Sequence, residues 1–187
     1  MVNSKTSQIA SKANSHARHL ILEARHHDPF SFLGQHVNHD DPENKFVYRA
    51  FIPGAADVYA KAGETWLKLE KTHRDGLFEI HCNTALPKPC LLKVQSANHS
   101  YEIYDPYTFD TSITQDELYL FGEGRLKQAY KTLGAQCIAQ ESVSGVRFAV
   151  WAPNAERVSV IGSFNNWDGR IHSMRAHGSS GVWDIFI

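Results

Sequence analysis

Alternation of apolar and polar positions dominates the chain. Phe46, Tyr48, Ala50 and Ile52 fall on one side of a period-two pattern, and Val146, Phe148, Val150 and Ala152 repeat it one hundred positions later. Such spacing predicts half-buried β-strands. Pro53 and Pro153 end the two runs, because proline cannot donate to a sheet ladder, and Gly54 and Asn154 suit the turns that follow. Further strands are predicted from Val58 and Val158. A second correspondence, displaced by 105 positions, lays GLFEIHC from Gly76 on GVWDIFI from Gly181. One loop insertion accounts for the change in offset, so the chain reads as one module written twice.

Helical spacing is confined to two regions. Ile9, Ala13, Ala17, Leu20, Ile21 and Ala24 mark an apolar stripe over residues 7–25, expected to pack on the first module. Thr114-Gln115-Asp116-Glu117 has the pattern of a capping box, and Arg125–Leu133 reads as a short helix stopped by Gly134. The fold class that follows is mainly β: two tandem immunoglobulin-like β-sandwich modules, the second incomplete, with an N-terminal helix and a short helical connector. The boundaries drawn are 1–110 for the helix and first sandwich, 111–140 for the connector and 141–187 for the second module. A complete sandwich of this kind needs about 100 residues, which the second module lacks. Val182–Ile187 runs as a strand to the last residue, so the core face and sheet edge of that module are expected to be partly uncovered. On this reading the chain is the front part of a longer polypeptide.

Composition narrows the function classes. With 42 % hydrophobic and 21 % charged residues and a formal net charge of -1, the chain offers no basic stripe for nucleic acid. It holds no apolar run of membrane-spanning length, and the N-terminus lacks the apolar core of a secretory signal. Three cysteines without a Cys-x-x-Cys spacing read as reduced thiols and a cytoplasmic location. Neither a Gly-x-Ser-x-Gly nor a phosphate-loop pattern occurs. The carboxylates Asp40-Asp41, Glu70 and Asp116-Glu117 sit where solvated charges and helix caps sit. His16 and His19, with His26-His27 beyond, have helical spacing but no companion cysteine or His-Glu-x-x-His arrangement, so no metal or other cofactor is assigned.

Two motif groups resemble known families. Phe148–Ala155 (FAVWAPNA) and Ile161–Trp167 (IGSFNNW) resemble carbohydrate-binding module family 48. Asp28–His36 (DPFSFLGQH) resembles the opening of the extra N-terminal module of bacterial glycogen branching enzymes, and Asp105–Phe109, Phe121–Arg125 and Leu133–Ala135 resemble that family's inter-module connector. Two positions depart from the pattern: Leu126 stands where histidine is usual, and Ser163 where aspartate is usual.

The resemblance implies an enzyme that cleaves an α-1,4-glucan and transfers the segment to a 6-hydroxyl, using two carboxyl groups on a (β/α)₈ barrel. No alternating strand–helix pattern of that kind occurs here, so no catalytic residue is assigned and the chain is expected to be inactive alone. The implied partners are α-glucan (glycogen) and the C-terminal catalytic barrel of the same polypeptide, in a monomer. Glucan recognition would use aromatic rings stacked on sugar faces and amides on hydroxyls, which selects Trp151, Phe164, Asn165, Asn166 and Trp167. Strand phase assigns Trp183 to the core, and Trp66 reads as structural; Trp151 reads as an inter-domain contact or a ligand platform, and Trp167 as a glucan contact or a structural residue against the barrel. A stand-alone glucan-binding regulatory protein and a fragment of a debranching hydrolase are the competing readings; neither accounts for Asp28–His36.

Overall fold

A computed structural model describes residues 14–38 and 43–187. The acidic pair Asp40-Asp41 and the first turns of the expected N-terminal helix lie outside the described residues. The chain is mainly β and divides into two compact units, up to Thr108 and from Phe109 to Ile187.

In the first unit, residues 14–22 form helix α1. Seven strands follow: β1 (Gly34–Val37), β2 (Phe46–Phe51), β3 (Asp57–Ala62), β4 (Thr65–His73), β5 (Leu77–Cys82), β6 (Leu91–Gln95) and β7 (Ser100–Tyr104). They hydrogen-bond in the order β1-β2-β5-β4-β3-β6-β7. Strand β4 belongs to both halves: residues up to Leu69 pair with β3, and Glu70 to His73 pair with β5 across a register shift. A bulge there increases the local twist and bend, and the two halves enclose Tyr48, Ala50, Val58, Ala60, Leu69, Phe78, Leu92 and Val94 in one core.

Strand β2 is buried on both faces. Tyr48 and Ala50 enter that core, as their alternation predicts, while Phe51 points the other way and is only 4 % exposed. It packs with Ile21 of α1 and with Phe32, Leu33, Leu77 and Tyr107. Covering a phenylalanine in this way contributes about 1.5–3 kcal/mol, which is why the apolar stripe of α1 docks here.

The motif Asp28–His36 supplies much of this second cluster. Pro29 opens a 3₁₀ turn, Phe30 meets Tyr107 edge-on at 4.9 Å, and the Arg49 guanidinium lies 4.6 Å from the Phe32 ring centroid. Gln35 Oε1 accepts the Leu86 amide at 2.6 Å, and His36 Nε2 bonds the Leu33 carbonyl at 2.9 Å. The motif is therefore a packing device.

The second unit starts with the segment read as a connector. Helix α2 (Gln115–Gly122) carries the expected capping box, with Thr114 and Glu117 satisfying one another's backbone amides. Helix α3 spans only Ala129–Thr132, shorter than the helix expected from Arg125. Strands β8 (Gly134–Gln140), β9 (Val143–Trp151), β10 (Arg175–Ala176) and β11 (Val182–Phe186) form a sheet in the order β10-β11-β9-β8. On one face, Ala149 and Val182 pack with Ile113, Leu118, Phe121 and Leu133. On the other, Trp183 and Ile185 are buried, whereas Ala135, Cys137, Ala139 and Val150 are exposed.

The repeat is visible in the hydrogen-bonded register. Ala50 faces Phe78 across β2 and β5, and Val150 faces Trp183 across β9 and β11. Ile52 N bonds Gly76 O at 2.7 Å, and Ala152 N bonds Gly181 O at 2.8 Å. A Cβ on Gly181 would lie 2.7 Å from Pro153 Cβ, and one on Gly76 would lie 2.8 Å from Pro53 Cα. Both glycines also have positive φ, at +71° and +103°, so proline and glycine recur together because each strand pair turns at the same tight point.

Candidate functional site

The strand expected from Val158 is reduced to a single bridge between Ser159 and Ser173, and residues 162–168 lie between these two bridge residues, ahead of β10. Within them, Ser163–Asn165 make one 3₁₀ turn, followed by Asn166 at φ 52° and Trp167 at φ 59°. Left-handed backbone is easy for asparagine but costs a bulky residue of the order of 1–2 kcal/mol. That strain accompanies an outward display: Phe164 is 59 % and Trp167 68 % exposed. Phe164 leans on Gly162, where a Cβ would meet the ring at 2.5 Å, and lies 5.6 Å from the His172 ring.

Asn165 behaves differently from its neighbours. It is 3 % exposed, and its amide is fully used inside the turn. Gly162 N donates to Oδ1 at 2.9 Å, and Nδ2 donates to the Val160 carbonyl at 2.8 Å and to His172 Nδ1 at 2.9 Å. Its hydrogen bonds build the turn and leave Asn166 as the exposed amide beside the two rings. Ser163, where the family pattern has aspartate, is exposed.

Trp151 lies at the end of β9, 54 % exposed. It meets Phe121 of α2 edge-on at 5.9 Å, and its indole nitrogen would be 3.1 Å from a Cβ on Gly181. Between α2 and residues 176–180 runs a groove of about 760 Å³, lined by Gln115, Tyr119, Glu123, His177 and Ser179. Behind it, His177 Nε2 contacts Asp184 Oδ1 at 2.8 Å, and Thr111 donates to Asp184 Oδ2 at 3.0 Å. Aromatic, amide, carboxylate and hydroxyl groups line the groove together. Sequence reading missed Tyr119 and Gln115. Their capping box and helical phase were visible, but the partner wall comes from residues some sixty positions later.

The remaining candidates take structural places. Trp183 is buried and donates from Nε1 to the Ala152 carbonyl at 3.0 Å. Trp66 is half-buried between the ammonium groups of Lys61 and Lys93, each 5.9 Å from the ring. Glu70 is exposed, and Asp116-Glu117 stand in the first turn of α2. Among the described residues, no group of three or more histidine, cysteine, aspartate or glutamate side chains could hold a metal ion, and no helix is long and apolar enough to cross a membrane.

Two β units, the second displaying aromatic rings from a strained turn, define a chain of tandem β modules. Residues 14–107 match the model of the alpha-1,4-glucan branching enzyme GlgB N-terminal domain, and residues 132–187 match carbohydrate-binding module 48, the isoamylase N-terminal domain. The chain belongs to the GlgB N-terminal domain family. It is 55 % identical over 177 residues to a 1,4-alpha-glucan branching enzyme of Methylobacillus flagellatus, covering 95 % of this chain and 24 % of that protein. Enzymes of the same name from Nitrosospira multiformis and Nitrosomonas europaea are 49 % and 42 % identical, over 90 % and 100 % of this chain and 23 % and 25 % of theirs. The chain therefore spans about a quarter of the length of these relatives.

Proposed function

We propose that this chain is the glucan-holding part of a glycogen branching enzyme. It would grip α-1,4-glucan through Trp151, Phe164, Asn166 and Trp167, with Asn165 shaping the turn, while carboxyl groups on a barrel elsewhere in the polypeptide perform cleavage and transfer to a 6-hydroxyl. The observation that carries the glucan reading is the exposure of Phe164 and Trp167 on a turn whose backbone is strained and whose amide network is saturated. A turn costing conformational energy to display apolar surface indicates a ligand for that surface. Two family models in order on one chain support the branching assignment, and the match over residues 14–107 speaks against both competing readings.

A monomer in the cytoplasm is the accompanying proposal. Cys82, Cys90 and Cys137 are all free thiols, and burial pushes the Cys90 thiol up to about 12, holding it protonated and inert.

Titration of the chain with maltoheptaose and co-sedimentation with glycogen test the glucan reading. Binding that weakens in Trp167→Ala and Trp151→Ala, with the fold retained, is expected. Wild-type protein that binds neither ligand would overturn it.

A further inference from the structure

The hydrogen bonds of Asn165 determine more than the shape of a turn. Because Gly162 N donates to Oδ1, the amide orientation is set and Nδ2 must be the donor toward His172 Nδ1. Nδ1 is then an acceptor, which requires the neutral imidazole with its proton on Nε2. Burial lowers the His172 pKa to about 4, in keeping with a neutral ring. The backbone closes the same ring: Val160 N bonds His172 O at 2.9 Å, and Trp167 N bonds Gly162 O at 2.9 Å. Phe164, the first displayed ring, rests against His172 itself.

We propose that Asn165 and His172 are positioning residues for carbohydrate binding, their side-chain bond holding residues 162–168 in the form that projects Phe164 and Trp167, so that ligand affinity follows the protonation state of His172. The ligand clause rests on the glucan reading above; the positioning clause does not.

The alternative state is defined by chemistry. A proton on Nδ1 turns an acceptor into a donor facing the Asn165 NH₂ group, so donor meets donor and the bond is lost. The strained backbone at Asn166 and Trp167 then loses one of its restraints. Three charged side chains border the turn. Asp168 is paired with Arg170 at 2.7 Å, which keeps its carboxyl below the usual range, and Arg157 donates to the Gly169 carbonyl at 2.8 Å. Burial is what lowers the His172 value.

The test follows the indole N–H resonance of Trp167 by NMR, with and without maltoheptaose, from about pH 8 down to about pH 4. In the wild type the resonance and the affinity are expected to stay level at neutral pH. Both then change together as His172 protonates, with affinity falling by up to about two-fold near pH 4, where half of the rings carry the proton.

Asn165→Asp is expected to abolish the acid fall in affinity, because its carboxylate can accept from His172 Nδ1 both in the other neutral tautomer and in the protonated ring, while it faces the Val160 carbonyl acceptor to acceptor at every pH. His172→Gln, whose amide oxygen can accept from Nδ2, should bind at wild-type strength with no pH dependence, and it preserves the test where Asn165→Asp fails to fold. The buried Trp183 indole reports folding throughout.

A Trp167 resonance indifferent to pH in the wild type, or a wild-type pH slope retained in His172→Gln, would overturn the proposal. Resonance changes of the expected sign without any maltoheptaose binding would support the positioning role and overturn α-glucan as the ligand.

Discussion

Tyr48 donates its hydroxyl proton to Asp105 Oδ2 at 2.5 Å, joining the first inner strand of the first unit to the residue that follows its last. Asp105 Oδ1 accepts the Tyr107 amide at 3.1 Å, and the Thr108 hydroxyl donates to the Asp105 carbonyl at 2.7 Å while accepting the Cys90 amide at 3.0 Å. Burial pushes the Asp105 carboxyl up to about 6, partly offset by the Tyr48 and Tyr107 hydrogen bonds. Because the folded value is raised, its stabilising contribution is fully present below the unfolded value near 3.9 and is lost as pH rises through about 6, a swing of about 3 kcal/mol at most. The melting temperature of the first unit should therefore fall between pH 4 and pH 7 on this account. Asp105→Asn should flatten that dependence. An unchanged slope in thermal melts of the variant would sink the assignment.

Gly34 is the one residue of the Asp28–His36 motif that cannot take a side chain. It has φ +78°, and a Cβ would lie 2.7 Å from the Tyr107 carbonyl oxygen. Gly34→Ala should destabilise the first unit by about 2 kcal/mol or more, because backbone strain and a backbone clash coincide. Chemical denaturation measures this, and a loss below about 0.5 kcal/mol would contradict the observed approach.

Arg147 joins the segment before β8 to the sheet of the second unit. It is buried on β9, with Nη1 donating to Ser112 Oγ at 3.0 Å and Nη2 donating to the carbonyls of Lys131 and Thr132 at 2.9 and 3.1 Å. Arg147→Ala removes these bonds and leaves carbonyls without partners, a cost of about 2–4 kcal/mol. Faster limited proteolysis within residues 109–133 is the expected result, with residues 43–108 cleaved at the wild-type rate.

Gly162 and Trp183 separate display from stability. Gly162→Ala would push aside the Phe164 ring, the flexible group its Cβ meets. Maltoheptaose affinity should drop by about 3- to 10-fold with little change in melting temperature. Trp183→Ala, by contrast, opens the buried face of β11 and should cost about 3–5 kcal/mol, unfolding the second unit. Equal stability losses in the two variants would argue against a display role for the turn.

The amino-acid sequence by itself determined the strand pairs and their repetition. Period-two alternation, the prolines at 53 and 153 and the glycines at 76 and 181 are local signals, and they reappear as matching registers. The capping box of α2 and the burial of Trp183 were legible for the same reason, since each depends on neighbours a few positions away or on strand phase. What surrounds a face is not encoded in that phase. Phe51 and Trp151 occupy equivalent positions in the two copies, yet the first is 4 % exposed and the second 54 %.

Tertiary structure decided that difference. In the first unit, α1 and the Asp28–His36 motif lie over Phe51; in the second, Trp151 is met edge-on by Phe121 and keeps about half of its surface open to solvent. Asn165 makes the same point at the site. Its type and place in the motif suggested an amide for sugar hydroxyls, but only the folded turn brings Gly162, Val160 and His172 within its reach and uses up its hydrogen bonds. A side chain's chemistry is written locally, whereas its availability depends on partners that the chain brings from elsewhere.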